Sequence, residues 1–310
     1  MKGLILVTGS EGLVGSRFVE ISDRKNFLHF PKQVELDITN KDEITALVSS
    51  YNFSAVVHFA AYTDVGKAEE QRGNREESCW QVNVEGTKNL VEAISPHKGK
   101  IHLIHISTDM VFPGGEDDPG PYKEDHLVES DMTRMTWYGF TKAQAENIVI
   151  QNLGNSATIL RINYPVRVGF DNKLDYLRKH LSLYDEGKLY PLFTDQHFTI
   201  TYIDEACRVI DKLITEGHKG VFHDASSDVT TPYKLISYMI EKTRGVTNAV
   251  ESKTLKEFLE ETKSPAFRYP KFGGLKVAMT EAKLGMKFST WKEIVDKLVE
   301  QGLGENVYKG

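Results

Sequence analysis

Cysteine is nearly absent from this chain: two among 310 residues, Cys79 and Cys207, far apart and outside any CxxC or Cys/His cluster. That excludes a disulfide framework and a thiolate zinc site, and it fits a reducing cytoplasm. No apolar run approaches the ~20 residues that a membrane span requires. The apolar stretch at residues 4–7 is too short for the hydrophobic segment of a signal peptide. A basic surplus is also lacking. With 38 Lys and Arg against 44 Asp and Glu, the formal charge of −6 argues against nucleic acid as a partner. The ten histidines show no HExxH or other paired spacing, so no metal site is expected. His58 and His105 read as packed strand residues. There is no fixed-period repeat and no low-complexity tract.

What is present is an alternation of short apolar runs with helical patterns. GLILV (residues 3–7), FLHF, QVELDIT, AVVHFAA, KIHLIHIST and ATILRINY read as strands. GLVGSRFVEISDR, KDEITALVSSY, CWQVNVEGTKNLVEAI and the segment from Tyr138 read as the helices between them. Short apolar strands separated by helices predict an α/β fold with a Rossmann-type, doubly wound parallel sheet and right-handed crossovers. The stretch 113–136 is rich in Pro, Gly and acid and too long for a plain connection, so it is a candidate lid or binding loop.

The first strand runs into TGSEGLVG, with Gly9, Gly12 and Gly15 three apart before a helix. One glycine allows the tight turn, one lets the backbone approach a diphosphate, and one lets the helix pack on the strand. The helix N-terminus would then face the pyrophosphate. Residues 1–165 therefore read as a dinucleotide-binding domain, joined by part of 197–226, where GVFHDAS looks like a returning strand. Residues 166–310 read mainly as a smaller C-terminal α/β substrate lobe.

An acid that would grip the ribose of NAD is missing after the second strand, where His29-Phe30-Pro31-Lys32 stands. Lys32 or Arg24 would face a 2′-phosphate, which favours NADP over NAD. Asp37 reads either as an acceptor for the adenine amino group or as a turn and capping residue. Ser107, Thr108 and Asp109 lie at the carboxyl end of a strand, and Tyr138 and Lys142 sit one helical turn apart at the start of the next helix. Together they supply what carbonyl reduction needs. Tyr138 would protonate the oxygen, Lys142 would lower the Tyr138 pKa and hold the cofactor ribose, and Thr108 would fix the same oxygen.

With these residues together, the sequence resembles the extended short-chain dehydrogenase/reductase family. TGSEGLVG is similar to its TGxxGxxG loop and YGFTK to its YxxxK pair. Within that family it most resembles the dTDP-4-dehydrorhamnose reductases, through LDITN (36–40), AAYTDVGKAE (60–69), NVEGTKNL (83–90), STDMVF (107–112) and YGFTKAQAE (138–146). The resemblance implies that Gly9, Ser10, Glu11, Gly12, Leu13, Val14 and Gly15 touch the cofactor, with Asp37, Ile38, Ala60, Ala61, Tyr62 and Lys142. It implies Thr108, Tyr138 and Lys142 as catalytic residues, and Thr63, Asp64, Asp109 and Tyr164 beside the sugar. Asn83 would brace the sheet.

The implied activity is NAD(P)H-dependent reduction of the 4-keto group of a nucleotide-linked deoxysugar, in a homodimer. Departures at RINYPVRVG and DQHFTITYI leave the sugar and its base open. An epimerase or dehydratase of the same broad family stays open as an alternative. So does a non-catalytic, NADP-binding regulatory subunit.

Overall fold

The structure is a computed structural model, and it describes residues 3–305. β1 (Leu4–Thr8) leads through α1 (Leu13–Ile21), β2 (Leu28–His29) and α2 (Lys41–Ser50) to β3 (Phe53–His58). After α3 (Val65–Glu70), α4 (Ser78–Trp80) continues through a π-helical segment (Gln81–Gly86) into α5 (Thr87–Ile94). β4 (His102–Thr108), α6 (Trp137–Leu153) and β5 (Ala157–Ile162) follow, then β6 (Pro165–Val166), α7 (Tyr176–Asp185), β7 (Leu192–Phe193) and β8 (Thr201–Tyr202). The remainder is α8 (Ile203–Glu216), β9 (Gly220–Asp224), α9 (Pro232–Arg244), β10 (Ser252–Lys253), α10 (Leu255–Thr262), α11 (Ala278–Leu284) and α12 (Trp291–Glu300).

Six strands form one sheet in the order β2-β1-β3-β4-β5-β9, with β1–β2, β1–β3 and β3–β4 parallel. This is the expected Rossmann-type sheet, and GVFHDAS does return to it as β9. Every residue of β4 is buried, as a parallel strand covered on both faces requires. The order reverses between β1 and β3, so the crevice for a ligand opens at the carboxyl ends of those two strands.

QVELDIT does not form the expected strand. Its N–H groups turn inward instead: Glu35 and Leu36 both donate to the Lys32 carbonyl, at 2.9 and 3.0 Å. Leu36 and Ile38 still alternate into the core, which is the pattern the sequence displays. Those local bonds to Lys32 take up the backbone that a ladder would need, so the alternation produces turns.

The chain forms two compact units. One holds the residues up to Phe112 with Leu127–Arg161 and Ala206–Phe222; the other holds Pro113–His126, Ile162–Glu205 and the residues from His223 onward. In the first unit, Leu6, Val56 and Leu103 of the strands pack with Ile44, Leu90 and Val149 of the helices. In the second, Leu177, Leu181, Ile236, Met239, Ile294 and Leu298 form the core. There β6 pairs with β8 and β7 with β10, each in parallel.

The stretch 113–136 is not a free lid. Its first half belongs to the second unit, where Gly120 N–H donates to the Phe272 carbonyl at 2.8 Å and Tyr122 N–H to the Gly274 carbonyl at 3.0 Å. Lys276 and Phe272 return bonds to the Tyr122 and Gly114 carbonyls. Its second half belongs to the first unit, with Glu129 N–H on the Val111 carbonyl at 3.0 Å.

One ion pair lies wholly inside the first unit. Arg161 on β5 forks onto both oxygens of Glu146 on α6, at 2.9 and 2.7 Å, with side chains 2% and 0% exposed. Removing one partner strands the other charge in the interior. Glu146→Gln or Arg161→Met should lower stability by about 3–5 kcal/mol, while Glu146→Met with Arg161→Met together should cost much less. Urea denaturation midpoints of the three variants check this.

Candidate active site

The glycine loop lies at the crevice between β1 and β3. Gly9 has φ +68°, and a Cβ there would stand 2.5 Å from the Ala60 nitrogen just after β3. Gly15 is equally constrained, because a Cβ would fall 2.3 Å from the Gly9 carbonyl oxygen. Gly12 differs. A Cβ on it would meet only that oxygen, at 3.3 Å, so the space in front of it is a cradle. Gly12 is also the N-cap of α1, with no side-chain cap and no acid in the first turn. A helix N-terminus left in that state fits a diphosphate.

Ser10 and Glu11 are engaged with the loop after β2. The Ser10 hydroxyl donates to the Pro31 carbonyl at 3.1 Å, and a Glu11 carboxylate oxygen accepts the Gln33 N–H at 3.0 Å. Leu13 and Val14, in the first turn of α1, are partly buried. Lys32 is exposed on that same loop. Arg24 is turned elsewhere, with two of its nitrogens on the Thr215 hydroxyl at 3.0 and 2.8 Å. Asp37 carries the turn role: its Oδ1 accepts from both the N–H and the hydroxyl of Thr39. Ile38 is buried, with Gly86 of the π segment so close that a Cβ there would lie 2.8 Å from its Cδ1.

α6 starts where Thr136 caps it through Gly139 N–H. Lys142, one turn in, is 3% exposed. Its ammonium donates to the Ile106 carbonyl at 2.8 Å and faces His105 Nε2 at 3.4 Å. Burial lowers its pKa from 10.5 to about 8, with Glu146 and Cys79 opposing. Burial raises the Tyr138 hydroxyl above its ordinary range, and the Asp109 carboxylate and Cys79 add to that. The expected lowering of Tyr138 by Lys142 is therefore absent, because desolvation dominates and the ammonium is directed to β4. The Thr108 hydroxyl caps the turn that follows β4, accepting Met110 N–H at 3.2 Å and donating to Asp109 Oδ1 at 3.2 Å.

A chain of buried polar groups supports these residues. Thr87 donates to the Asn83 carbonyl, so it accepts from His58 Nε2 at 3.1 Å, which leaves His58 Nδ1 to accept from Thr8 at 2.7 Å. His58 is thereby a neutral ring, and burial holds its pKa at about 3. Asn83 accepts Tyr62 N–H at 2.8 Å and donates to the Thr141 hydroxyl at 2.9 Å, which in turn donates to the Tyr138 carbonyl. Asn83 thus joins the segment after β3, which carries Ala60, Ala61 and Tyr62, to the start of α6.

The family model for the RmlD substrate binding domain matches residues 1–303. The chain belongs to that family. It is 32% identical to a dTDP-4-dehydrorhamnose reductase of Aggregatibacter actinomycetemcomitans over 163 residues, a match spanning 52% of this chain and 51% of that protein. It is 28% identical to a probable low-salt glycan biosynthesis reductase, Agl14, of Haloferax volcanii, over 93% of this chain and 94% of the relative. Among solved structures, a dTDP-4-dehydrorhamnose reductase from Bacillus anthracis in complex with NADP has the same fold. That likeness has a TM-score of 0.81 and 23% identity, covering 97% of this chain and 100% of that one.

The residues expected beside the sugar have surroundings of their own. Asp64 caps α3, its Oδ1 accepting Lys67 N–H at 3.0 Å, and Thr63 beside it is exposed. Tyr164 belongs to the second unit, at φ +39° and 43% exposed, with its ring against Tyr176 and Phe198.

Three features add to the roles read from the sequence, which named Ser107 and Asn83 but not Gly139. Gly139 lets α6 approach the turn after β4, since a Cβ would meet the Met110 carbonyl oxygen at 2.1 Å. The glycine inside YGFTK was the available signal. Ser107 is 3% exposed, and its hydroxyl has no hydrogen-bond partner among the described residues. Asn83 sits on a π-helical segment, for which residue spacing offers no signal.

Burying the Lys142 ammonium opposes folding, and the sign of its pH dependence follows. Between about 8 and 10.5 the unfolded chain binds a proton at this site that the folded chain does not, so stability attributable to it rises with pH there. Lys142→Met should be more stable than wild type at pH 7, by about 1–3 kcal/mol. The gap should close as pH rises through that window. Urea midpoints at pH 7 and 10 would measure it; a gap independent of pH would contradict the assignment.

Proposed function

We propose that the protein reduces the 4-keto group of a nucleotide-linked 6-deoxysugar, as a dTDP-4-dehydrorhamnose reductase does, with NADPH preferred over NADH. The observation that carries this reading is the placement of Thr108, Tyr138 and Lys142 in the same unit as an uncapped, glycine-lined helix N-terminus. Gly9, Gly12 and Gly15 would hold the diphosphate, and Ala60, Ala61 and Tyr62 the segment beyond it. When bound, the dinucleotide supplies the hydride.

The protein's own residues do the rest. Tyr138 keeps its proton through the pH range in which the Lys142 ammonium persists, because burial raises the phenol. It can therefore act as the acid toward the oxygen on which charge develops. Thr108 fixes that oxygen by turning its hydroxyl from Asp109 to the substrate. Lys142 directs its remaining N–H toward the ribose. Asp64, Thr63 and Asp109 would border the sugar in this unit. The preference for NADPH rests on the absence of an acid after β2 and on the exposed Lys32 in its place. Dehydration would call for an acid pair at the strand end, and Met110 follows Asp109 instead. A second copy of the chain as partner and a cytoplasmic location complete the proposal; two buried cysteines that form no disulfide suit the latter.

The direct test is nicotinamide absorbance with purified protein, NADPH and dTDP-4-keto-6-deoxy-L-mannose. Oxidation is expected, and Tyr138→Phe should reduce kcat by about 10²–10⁴-fold while leaving NADPH affinity within a fewfold. Tight NADPH binding without turnover of any 4-keto nucleotide-sugar would favour the regulatory-subunit alternative instead.

A further inference from the structure

An ammonium has three N–H bonds and no lone pair. Lys142 places one on the Ile106 carbonyl at 2.8 Å and directs another at His105 Nε2, 3.4 Å away. His105 Nε2 must then be the acceptor, and the ring proton sits on Nδ1. That nitrogen is buried with no hydrogen-bond partner among the described residues. An orphaned buried N–H costs about 1–3 kcal/mol. If β4 needed only volume at this position, a leucine or phenylalanine would be better tolerated, since His105 is 0% exposed.

The surroundings keep this ring neutral. His58 on β3 lies 5.4 Å from it, ring to ring, and is itself held neutral by Thr8 and Thr87. From α6, Glu146 has both oxygens committed to Arg161 of β5. Cys79 of α4 is bonded to Thr141 and Asn83, and the Asp109 carboxylate acts on the Tyr138 hydroxyl. Lys142 is the cation that faces His105, and desolvation, Lys142 and His58 all hold the imidazole well below its ordinary pKa.

We infer that His105 is a positioning residue for Lys142: as a neutral acceptor it fixes a second N–H of the ammonium, so that with Ile106 the third is left aimed at the ligand. This rests on the cofactor role proposed for Lys142 above. His105 touches neither reacting atom; it acts through the lysine.

Fluorescence titration of NADPH across pH 6–10 tests it without requiring turnover. In the wild type, affinity should fall as the ammonium loses its proton. His105→Phe keeps a ring but removes the acceptor, so the pH at which affinity falls should move down by about half a pH unit or more. His105→Gln restores an acceptor and should return it toward the wild-type position. If His105→Phe does not fold, His105→Asn, too short to reach the ammonium, should show the same downward shift. A wild-type protein that binds no NADPH at any pH overturns the cofactor reading, and this inference with it. Normal wild-type binding with an unmoved midpoint in the acceptor-free variant overturns this inference alone, as does a His105→Gln shift equal to that of His105→Phe.

Discussion

Lys142 carries its ammonium inside the first unit at 3% exposure, and the arrangement around it follows from that burial. A cation removed from water needs oxygen or nitrogen lone pairs in fixed places and no second cation nearby. The Ile106 carbonyl supplies one lone pair from a strand whose backbone cannot move independently of the sheet. The two histidines closest to it stay uncharged, one through the threonines that bracket it and both through burial. Glu146, one turn further along α6, does not collapse onto the lysine because Arg161 occupies both its oxygens. The ammonium is therefore held without a neutralising carboxylate in contact. That state suits the ligand-donating role proposed for it.

Close backbone approach is the second constraint, and it operates at both ends of the site. Gly9 and Gly15 bring β1, α1 and the segment after β3 within distances that a Cβ would violate. Gly139 does the same for α6 and the turn after β4. Between these contacts runs the polar chain from Thr8 through His58 and Thr87 to Asn83, whose side chain reaches Tyr62 and Thr141. The strand ends are thus coupled by hydrogen bonds as well as by packing. A π-helical segment sets the position of Asn83, in keeping with the frequency of such segments at functional sites.

Much of this was legible in the sequence because its signals are local. Glycine spacing, the Tyr138–Lys142 turn and apolar strand runs need only neighbouring residues to be read, and the six-stranded sheet formed accordingly. What was not legible depends on partners distant in the chain or on competing local bonds. QVELDIT alternates like a strand, yet a strand requires a partner edge, and the bonds of Glu35 and Leu36 to Lys32 satisfied its backbone instead. The anchoring of 113–136 was not legible, because its partners, Phe272 and Gly274, lie some 150 residues later in the chain.

The sequence by itself determined which groups are available: three glycines before a helix, a threonine at a strand end, and a tyrosine and lysine one turn apart. Those follow from covalent order and helical or extended periodicity. Protonation and orientation were decided only by the tertiary structure. Burial drives the Tyr138 phenol up and the Lys142 ammonium down to about 8, and long-range contacts choose the tautomers of His58 and His105. Solvent exclusion is a property of the packed interior, and no residue carries it along the chain.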